Sequence, residues 1–153
     1  MSDERQVCTF FVDDLLLGIN VLEVQEVLRY QNMTHVPLAP SEVEGLINLR
    51  GQIVTAIDMR RRLELPTRDG DEPPMNVIIR TDDGAVSLLV DEIGDVIEVR
   101  DEMFEKPPET IKGIARELIV GAYKLEGALL LELDPGKTIS VGAESVAGGD
   151  QVE

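Results

Sequence analysis

Residues 45–58 read GLINLRGQIVTAID, and the fold prediction starts from this stretch. It opens on Gly45, carries a second glycine directly after Arg50, and continues as an apolar strand that ends at Asp58. Glycine tolerates positive φ and close backbone approach. The spacing therefore predicts a tight connection between strands that presents Arg50 at a fixed place.

The same pattern occurs again at residues 121–134, which read GAYKLEGALLLELD. The two stretches align without a gap at a constant offset of 76 residues, and both glycines and the final aspartate are shared. The marked change is Arg50, whose counterpart is Glu126. An internal repeat of this kind predicts a fold that is built twice from one unit.

Each half of the chain predicts a hairpin, a helical turn, a strand, a Pro-containing loop, a glycine corner and a further strand. Hairpin turns are indicated at Asp13-Asp14 and at residues 82–84. Apolar spacing in residues 21–28 favours a helical turn running into a strand. Ser41 and Glu44 form a predicted capping box for one helical turn that Gly45 ends.

Short strands with frequent turn signals favour all-β barrels over βαβ units. We expect a first barrel at about 15–65 and a second at about 75–135, each of about five strands, sharing an aliphatic core. Asp58 is predicted to cap a short helix over 59–65, and Pro66–Pro74 reads as a linker. Residues 1–6 and 142–153 are expected to be disordered.

Composition narrows the class of partner. The formal charge is −16, from 14 basic and 30 acidic residues, which argues against nucleic acid and anionic membranes. No apolar run approaches the ~20 residues that span a bilayer, and MSDERQ does not start a signal peptide. We therefore expect a cytoplasmic protein without membrane insertion, in which Cys8 is a small buried hydrophobe.

Catalytic and metal-binding patterns are missing from the sequence. His35 is the single histidine and Cys8 the single cysteine, and this pair is too few for a soft metal site. The EF-hand, phosphate-loop, dinucleotide and serine-nucleophile motifs are also absent. We predict a non-enzymatic protein without cofactor or metal, and therefore look for recognition surfaces.

Two surfaces are candidates for recognition. Arg50 at its glycine corner, together with Val24 and Glu26, could contact a partner carboxylate or main chain. An internal ion pair from Arg50 to Glu26 or Asp58 is the alternative, and the residues leave both open. Residues 103–111 form the second candidate, a loop with Phe104 beside Pro107-Pro108 that suits either an interface anchor or a plug at the end of a barrel.

The motifs EVQEV, V-P, GLINLRG with I-V-x-x-I-D, and LLVDEIGDVIEV occur in this order between residues 7 and 135. In this order they resemble the chemotaxis coupling protein CheW family. The resemblance implies two intertwined five-stranded SH3-like β-barrels with short helical turns. It leaves open whether the N-terminal strand is exchanged between them.

The resemblance also implies a function, that of a non-catalytic adaptor linking transmembrane chemoreceptors to the histidine kinase CheA at the inner face of the membrane. A receptor's helical hairpin tip would dock between the barrels, on Val24, Glu26, Gly45, Arg50 and Val96. The kinase's regulatory domain would contact the second barrel at Phe104, Pro108 and Ile111. Other CheW-like domains would join in rings.

Two alternatives to this function are retained. The first is a CheW-like scaffold for a non-chemotactic kinase pathway, such as one serving pili. The second belongs to a different class, a β-barrel that binds a small ligand or is catalytic, and the scarcity of aromatic and catalytic residues argues against it.

Overall fold

The computed structural model describes residues 4–67, 72–82 and 84–141, in which eleven strands form two sheets. The strands are β1 Arg5–Val12, β2 Leu15–Asn20, β3 Val24–Leu28, β4 Val43–Leu49, β5 Gln52–Asp58, β6 Met75–Thr81, β7 Gly84–Val90, β8 Glu92–Val99, β9 Phe104–Glu105, β10 Ile119–Leu125 and β11 Ala128–Leu133. Short helices follow at α1 Met59–Arg62, α2 Gly113–Leu118 and α3 Pro135–Thr138, with 3-10 turns at Val21–Glu23 and Asp101–Met103.

The predicted all-β class is confirmed, and each sheet closes into a small SH3-like barrel. The first barrel is the five-stranded sheet in the order β3-β6-β7-β5-β4, and the second is the six-stranded sheet β8-β1-β2-β11-β10-β9. In the second barrel, β8 and β9 are consecutive in the chain yet lie at opposite edges, so the sheet curls round. In the first barrel, β3 and β4 are the two edge strands, and an isolated β-bridge from Thr34, which follows β3, to Leu46 on β4 brings these edges together.

The two barrels exchange hairpins. The β1–β2 hairpin of the first half joins the second barrel, where β2 runs parallel to β11 with Leu17 opposite Leu131. The β6–β7 hairpin of the second half joins the first barrel, where β7 runs parallel to β5 with Val86 opposite Thr55. Each barrel therefore contains strands from both halves, and the predicted intertwining is a reciprocal hairpin exchange.

Sheet membership differs from the predicted boundaries of about 15–65 and about 75–135. A whole hairpin moves in each direction, whereas the prediction considered only the N-terminal strand. Local alternation of apolar and polar residues marks a strand but does not select its distant partner, which is why the boundaries were misplaced. The N-terminal prediction also needs correction, because Arg5 and Gln6 lie in β1, opposite Val99 and Glu98. Residues 1–3 and 142–153 lie outside the described residues.

The largest core cluster contains side chains of both barrels, which confirms the shared aliphatic core. Phe10 and Leu17 come from the second barrel, Val77 and Leu88 from the first, and Met59 enters from α1. All five are fully buried. Two smaller clusters fill the individual barrels, one around Ile47 and Val54 and one around Val7 and Leu130.

Helix predictions were confirmed at two places and wrong at a third. Val21–Glu23 forms a 3-10 turn before β3, and Asp58 caps α1 by accepting from the Arg60 N–H at 3.0 Å, although α1 ends at Arg62. Ser41 and Glu44 form no helix. The Val43 N–H instead closes a turn onto the Pro40 carbonyl at 2.9 Å, and β4 begins there because pairing with β5 satisfies many more backbone groups than one helical turn.

Candidate protein-binding site

The β4–β5 hairpin carries Arg50 at its tip. Leu49 pairs with Gln52, so Arg50 and Gly51 form a two-residue turn, with φ of 53° and 86°. Positive φ at both central residues is the pattern of a type I′ turn, whose twist matches a hairpin. The Gly51 N–H also donates to Asn48 Oδ1 at 3.0 Å. The turn thus holds Arg50 in a left-handed conformation that arginine rarely adopts.

Arg50 forms an ion pair with Glu26 on β3. Because β3 and β4 are the two ends of the first barrel's sheet, this pair helps to close the barrel. The Arg50 side chain is nevertheless 64% exposed, against 24% for Glu26. Asp58, the other internal partner considered, instead caps α1 and lies 3.6 Å from Arg61. The guanidinium is therefore paired on one side and open to solvent on the other.

The other residues predicted to contact a receptor occupy different environments. Val24 begins β3 and is half-buried against the shared core. Gly45 is buried inside β4, where a Cβ would lie 2.8 Å from the Thr34 carbonyl oxygen. Gly45 therefore permits close packing and presents no side chain. Val96 lies on the second barrel, in β8, and is 54% exposed.

Sequence reasoning missed exposed aliphatic residues beside this site. Leu22, in the 3-10 turn before β3, is 77% exposed, and Ile53, at the start of β5, is 59% exposed. Arg80 holds the 3-10 turn, since its Nη1 donates to the carbonyls of Leu22 and Val24 at 3.2 and 3.3 Å. The sequence placed Ile53 in an apolar strand and Leu22 in a helical turn, and neither pattern indicates that these side chains are exposed.

The loop after β8 presents Phe104. Its ring lies against Gly121 and meets the Tyr123 ring edge-on, with centroids 5.8 Å apart and planes at 77°. Pro108 and Ile111 are brought together, because the Ile111 N–H donates to the Pro108 carbonyl at 3.0 Å. Phe104 is half exposed, whereas Ile111 packs partly against the shared core.

Arg116 on α2 is a second residue that the sequence did not single out. Its Nη1 donates to the carbonyl oxygens of Pro108 and Ile111, at 2.9 and 3.1 Å. One guanidinium thereby fixes both ends of the turn below Phe104. Arginine suits this role because its planar donors can serve two acceptors at once.

A charged cluster lies behind Phe104. Arg5 donates to the Tyr123 hydroxyl at 2.5 Å and pairs with buried Glu132. Burial lowers the pKa of Arg5, but the hydrogen bond and charge of Glu132 outweigh it, and the pKa is raised. Burial likewise raises the pKa of the Tyr123 hydroxyl, with Arg5 acting in the opposite direction and Glu132 in the same one. The neutral phenol and the charged guanidinium are thus the favoured forms.

The described residues contain no cluster of three histidine, cysteine or acidic side chains able to hold a metal. None of the helices they form is long and apolar enough to span a bilayer. Cys8 is free and buried, as predicted, and burial raises the pKa of its thiol. The described residues present an exposed arginine turn on the first barrel and a half-exposed aromatic residue on the second.

Two interlocked SH3-like barrels with such surfaces define a protein-binding adaptor. Residues 6–142 match the family model described as the CheW-like domain, and the chain belongs to this family of chemotaxis scaffolds. That membership agrees with the prediction of a non-catalytic protein.

Similar proteins cover nearly the same length. Chemotaxis protein CheW of Treponema pallidum (strain Nichols) is 34% identical over 145 residues, which are 92% of this chain and 85% of that protein. Chemotaxis protein CheW of Bacillus subtilis (strain 168) is 31% identical over 147 residues, covering 96% and 94%. The crystal structure of the scaffolding protein TtCheW from Thermoanaerobacter tengcongensis matches with a TM-score of 0.77 at 25% identity, covering 88% of this chain and 90% of that one.

Proposed function

We propose that this chain couples chemoreceptors to the histidine kinase CheA at the inner face of the membrane. The observation that supports this proposal is the placement of two exposed contact surfaces on different barrels. Arg50 projects from the first barrel, and Phe104 lies on the last strand of the second barrel's sheet. An adaptor with separate surfaces can hold two partners at the same time.

The receptor surface is proposed around Arg50, Glu26 and Val24 on the first barrel, and Val96 on β8 is its one outlying contact on the second barrel. Exposed aliphatic side chains, now including Leu22 and Ile53, supply apolar area for the tip of a receptor's helical hairpin. The Arg50 guanidinium, which is paired with Glu26 but largely exposed, would fix the position of the receptor on this surface. Charged groups at interfaces contribute more to specificity and alignment than to affinity. Gly45 contributes only by letting the chain pack closely beneath this surface.

The kinase surface is proposed at Phe104, with Pro108 and Ile111 shaping the loop beneath it. Phe104 is held against Gly121 and Tyr123, so little side-chain entropy is lost when a partner covers it. The partner would be the regulatory domain of CheA, and further CheW-like domains would use equivalent barrel surfaces to complete a ring.

Reciprocal variants test both surfaces in one experiment. We expect Arg50→Glu to abolish capture of a receptor cytoplasmic fragment while leaving CheA binding intact. We expect Phe104→Ala to weaken CheA binding by about 1–3 kcal/mol, the scale of an interface anchor, while leaving receptor capture intact. Affinities are measured by titration calorimetry, and circular dichroism verifies that both variants fold.

Each variant is the control for the other. Wild-type affinity for the receptor in Arg50→Glu would show that the receptor surface is placed wrongly, and equal losses for both partners would point to damaged folding. Co-purification from the native cell, with mass spectrometry of the captured proteins, separates a chemotaxis kinase from the kinase of another pathway.

A further inference from the structure

Helix α1 carries three consecutive arginines whose side chains diverge. Arg61 stays within the first barrel, where it donates to the Ser41 carbonyl at 3.0 Å and lies 3.6 Å from Glu44 and Asp58. Arg60 donates through Nη1 to the carbonyls of Pro66 and Thr67, just after α1, at 3.0 and 3.4 Å, but Arg60 and Arg62 also make contacts beyond the first barrel. These further contacts connect the first barrel to the second, in addition to the shared core.

Arg60 binds Asp91, the single residue between β7 of the first barrel and β8 of the second. Its Nη2 lies 2.7 Å from Asp91 Oδ2, and its Nε lies 3.2 Å from both carboxylate oxygens. Both side chains are mostly buried, at 15% and 19% exposure. A charge-assisted contact of this kind fixes direction as well as distance.

Asp91 in turn holds the second barrel. Its Oδ2 accepts from the Asp13 N–H at 2.7 Å, in the β1–β2 turn. Its own N–H donates to the Phe11 carbonyl on β1 at 2.9 Å. The carboxylate is therefore a shared acceptor for one group from each barrel.

Arg62 forms the second connection. It is 9% exposed, and it donates through Nε to the Thr138 carbonyl at 2.8 Å and through Nη2 to the Lys137 carbonyl at 2.7 Å. These carbonyls belong to α3, which follows β11 of the second barrel. Two side chains of one short helix thus reach two different places, one at the connection between the barrels and one in α3, which follows the second barrel's last strand.

The repeat shows that the capped turn forms without these connections. At the constant offset, Arg60 corresponds to Gly136 and Arg62 to Thr138, so α3 has no matching arginines. Both helices still form with the same aspartate cap. The capped turn therefore belongs to the repeated unit, while the arginines occur in one copy only.

We propose that Arg60 and Arg62, acting through Asp91 and α3, are positioning residues that fix the angle between the barrels, and that the adaptor needs this angle to engage both partners together. The inference rests on the proposed function, because Arg50, the centre of the receptor surface, and Phe104, the centre of the kinase surface, lie on different barrels. A loosened joint would leave the contacts within each barrel intact but would no longer hold Arg50 and Phe104 at a fixed relative position. Binding of one partner at a time should survive, whereas the coupling between partners should not.

The joint can be measured without any partner. Gln52 and Ala128 are exposed, occupy equivalent positions of the two copies, and lie on different barrels. Spin labels are placed on Gln52→Cys and Ala128→Cys, since native Cys8 is buried. We expect a broader distribution of label distances in Arg60→Gln than in wild type, and an unchanged one in Arg61→Gln, the matched control on the same helix. Arg60→Lys, which keeps the charge, should lie between them.

A second experiment measures how the same variants bind a receptor fragment and CheA, separately and together. We expect Arg60→Gln to keep each single affinity within about twofold of wild type, the range for independent sites. The factor by which one partner improves binding of the other, typically about 5–150-fold in coupled systems, should fall toward one. Asp91→Asn should act similarly, and the double variant should add little to either single change.

The outcomes separate this inference from the proposed function. An unchanged distribution of label distances in Arg60→Gln would refute the claim that Arg60 fixes the angle between the barrels. A broadened distribution with normal coupling between the partners would refute the claim that the adaptor needs this angle. A wild-type chain that binds neither partner refutes the proposed function and the coupling with it, while the label distances still decide the joint. If Asp91→Asn fails to fold, Arg60→Gln and Arg60→Lys carry the test alone.

Discussion

At the scale of single residues, Arg50 differs from its counterpart Glu126 in conformation as well as in charge. Arg50 has a φ of 53°, whereas Glu126 is not among the residues with positive φ. Gly51 is a local signal, so the sequence predicted the turn and the special position of Arg50. The pairing with Glu26 spans 24 residues, and no local pattern could choose between Glu26, Asp58 and a partner. Strain of this kind often persists at functional sites.

Arg50→Asn separates a structural role from a binding role. Asn-Gly is the preferred pair for a type I′ turn, and an exposed ion pair contributes only about 0–1 kcal/mol. We therefore expect the variant to raise the free energy of unfolding by about 0.5–1 kcal/mol through relief of the left-handed strain. Receptor affinity should fall in the same variant. Urea denaturation and titration calorimetry measure the two effects.

Glu126→Asn is the control for this substitution, because the same change is made at the equivalent turn where no positive φ needs relief. Its stability should stay near wild type. A loss of more than about 1 kcal/mol in Arg50→Asn would exceed the usual range of an exposed pair and make the contact with Glu26 a brace of the barrel.

At the scale of elements, the signals that lie within a few residues were read correctly from the sequence. Asp58 caps α1, the Asp13-Asp14 turn joins β1 to β2, and the 3-10 turn precedes β3. The capping box at Ser41 failed because strand pairing of Val43 with Ile57 took precedence over the local signal. The Phe104 loop was recognised by its prolines, whereas its anchor, Arg116, lies on the next helix. Nothing in the spacing of the residues indicates that Arg116 folds back onto this loop.

Removing the anchor tests whether loop rigidity matters. Arg116→Gln removes the guanidinium that joins the carbonyls of Pro108 and Ile111. We expect CheA affinity to fall by about 0.5–1.5 kcal/mol, the cost of ordering a mobile side chain on binding, with little change in melting temperature. Glu117→Gln, an exposed neighbour on α2, is the control. Unchanged affinity in Arg116→Gln would show that the loop keeps its shape without the anchor.

At the scale of the whole molecule, the internal repeat predicted a fold built from two copies of one unit, and the resemblance to the CheW family implied that the two copies are intertwined. Neither revealed which strands are exchanged. The decisive contacts are the parallel pairings of β2 with β11 and of β5 with β7, which join parts of the chain that no turn connects. The apolar residues of the shared core were recognisable as core, but their distribution over both barrels follows from those pairings alone.

Cutting the chain in the linker tests the exchange. Fragments 1–69 and 70–153 each lack a hairpin that the other supplies, so we expect neither to fold alone. Mixed in equal amounts, they should recover the circular dichroism spectrum of the intact protein, because the missing strands are then present. A fragment that folds cooperatively by itself would contradict the requirement for reciprocal exchange.

The exchange of hairpins also sets the order in which the chain can fold during its synthesis. The β1–β2 hairpin leaves the ribosome early, yet its parallel partner β11 ends only at Leu133. At about 5–20 residues per second, the 113 residues from Asn20 to Leu133 take about 6–23 seconds to synthesise. During that time Phe10, Leu17 and Ile19, all fully buried in the finished protein, have no barrel to enter. The nascent chain therefore offers an apolar hairpin to chaperones before its second half exists.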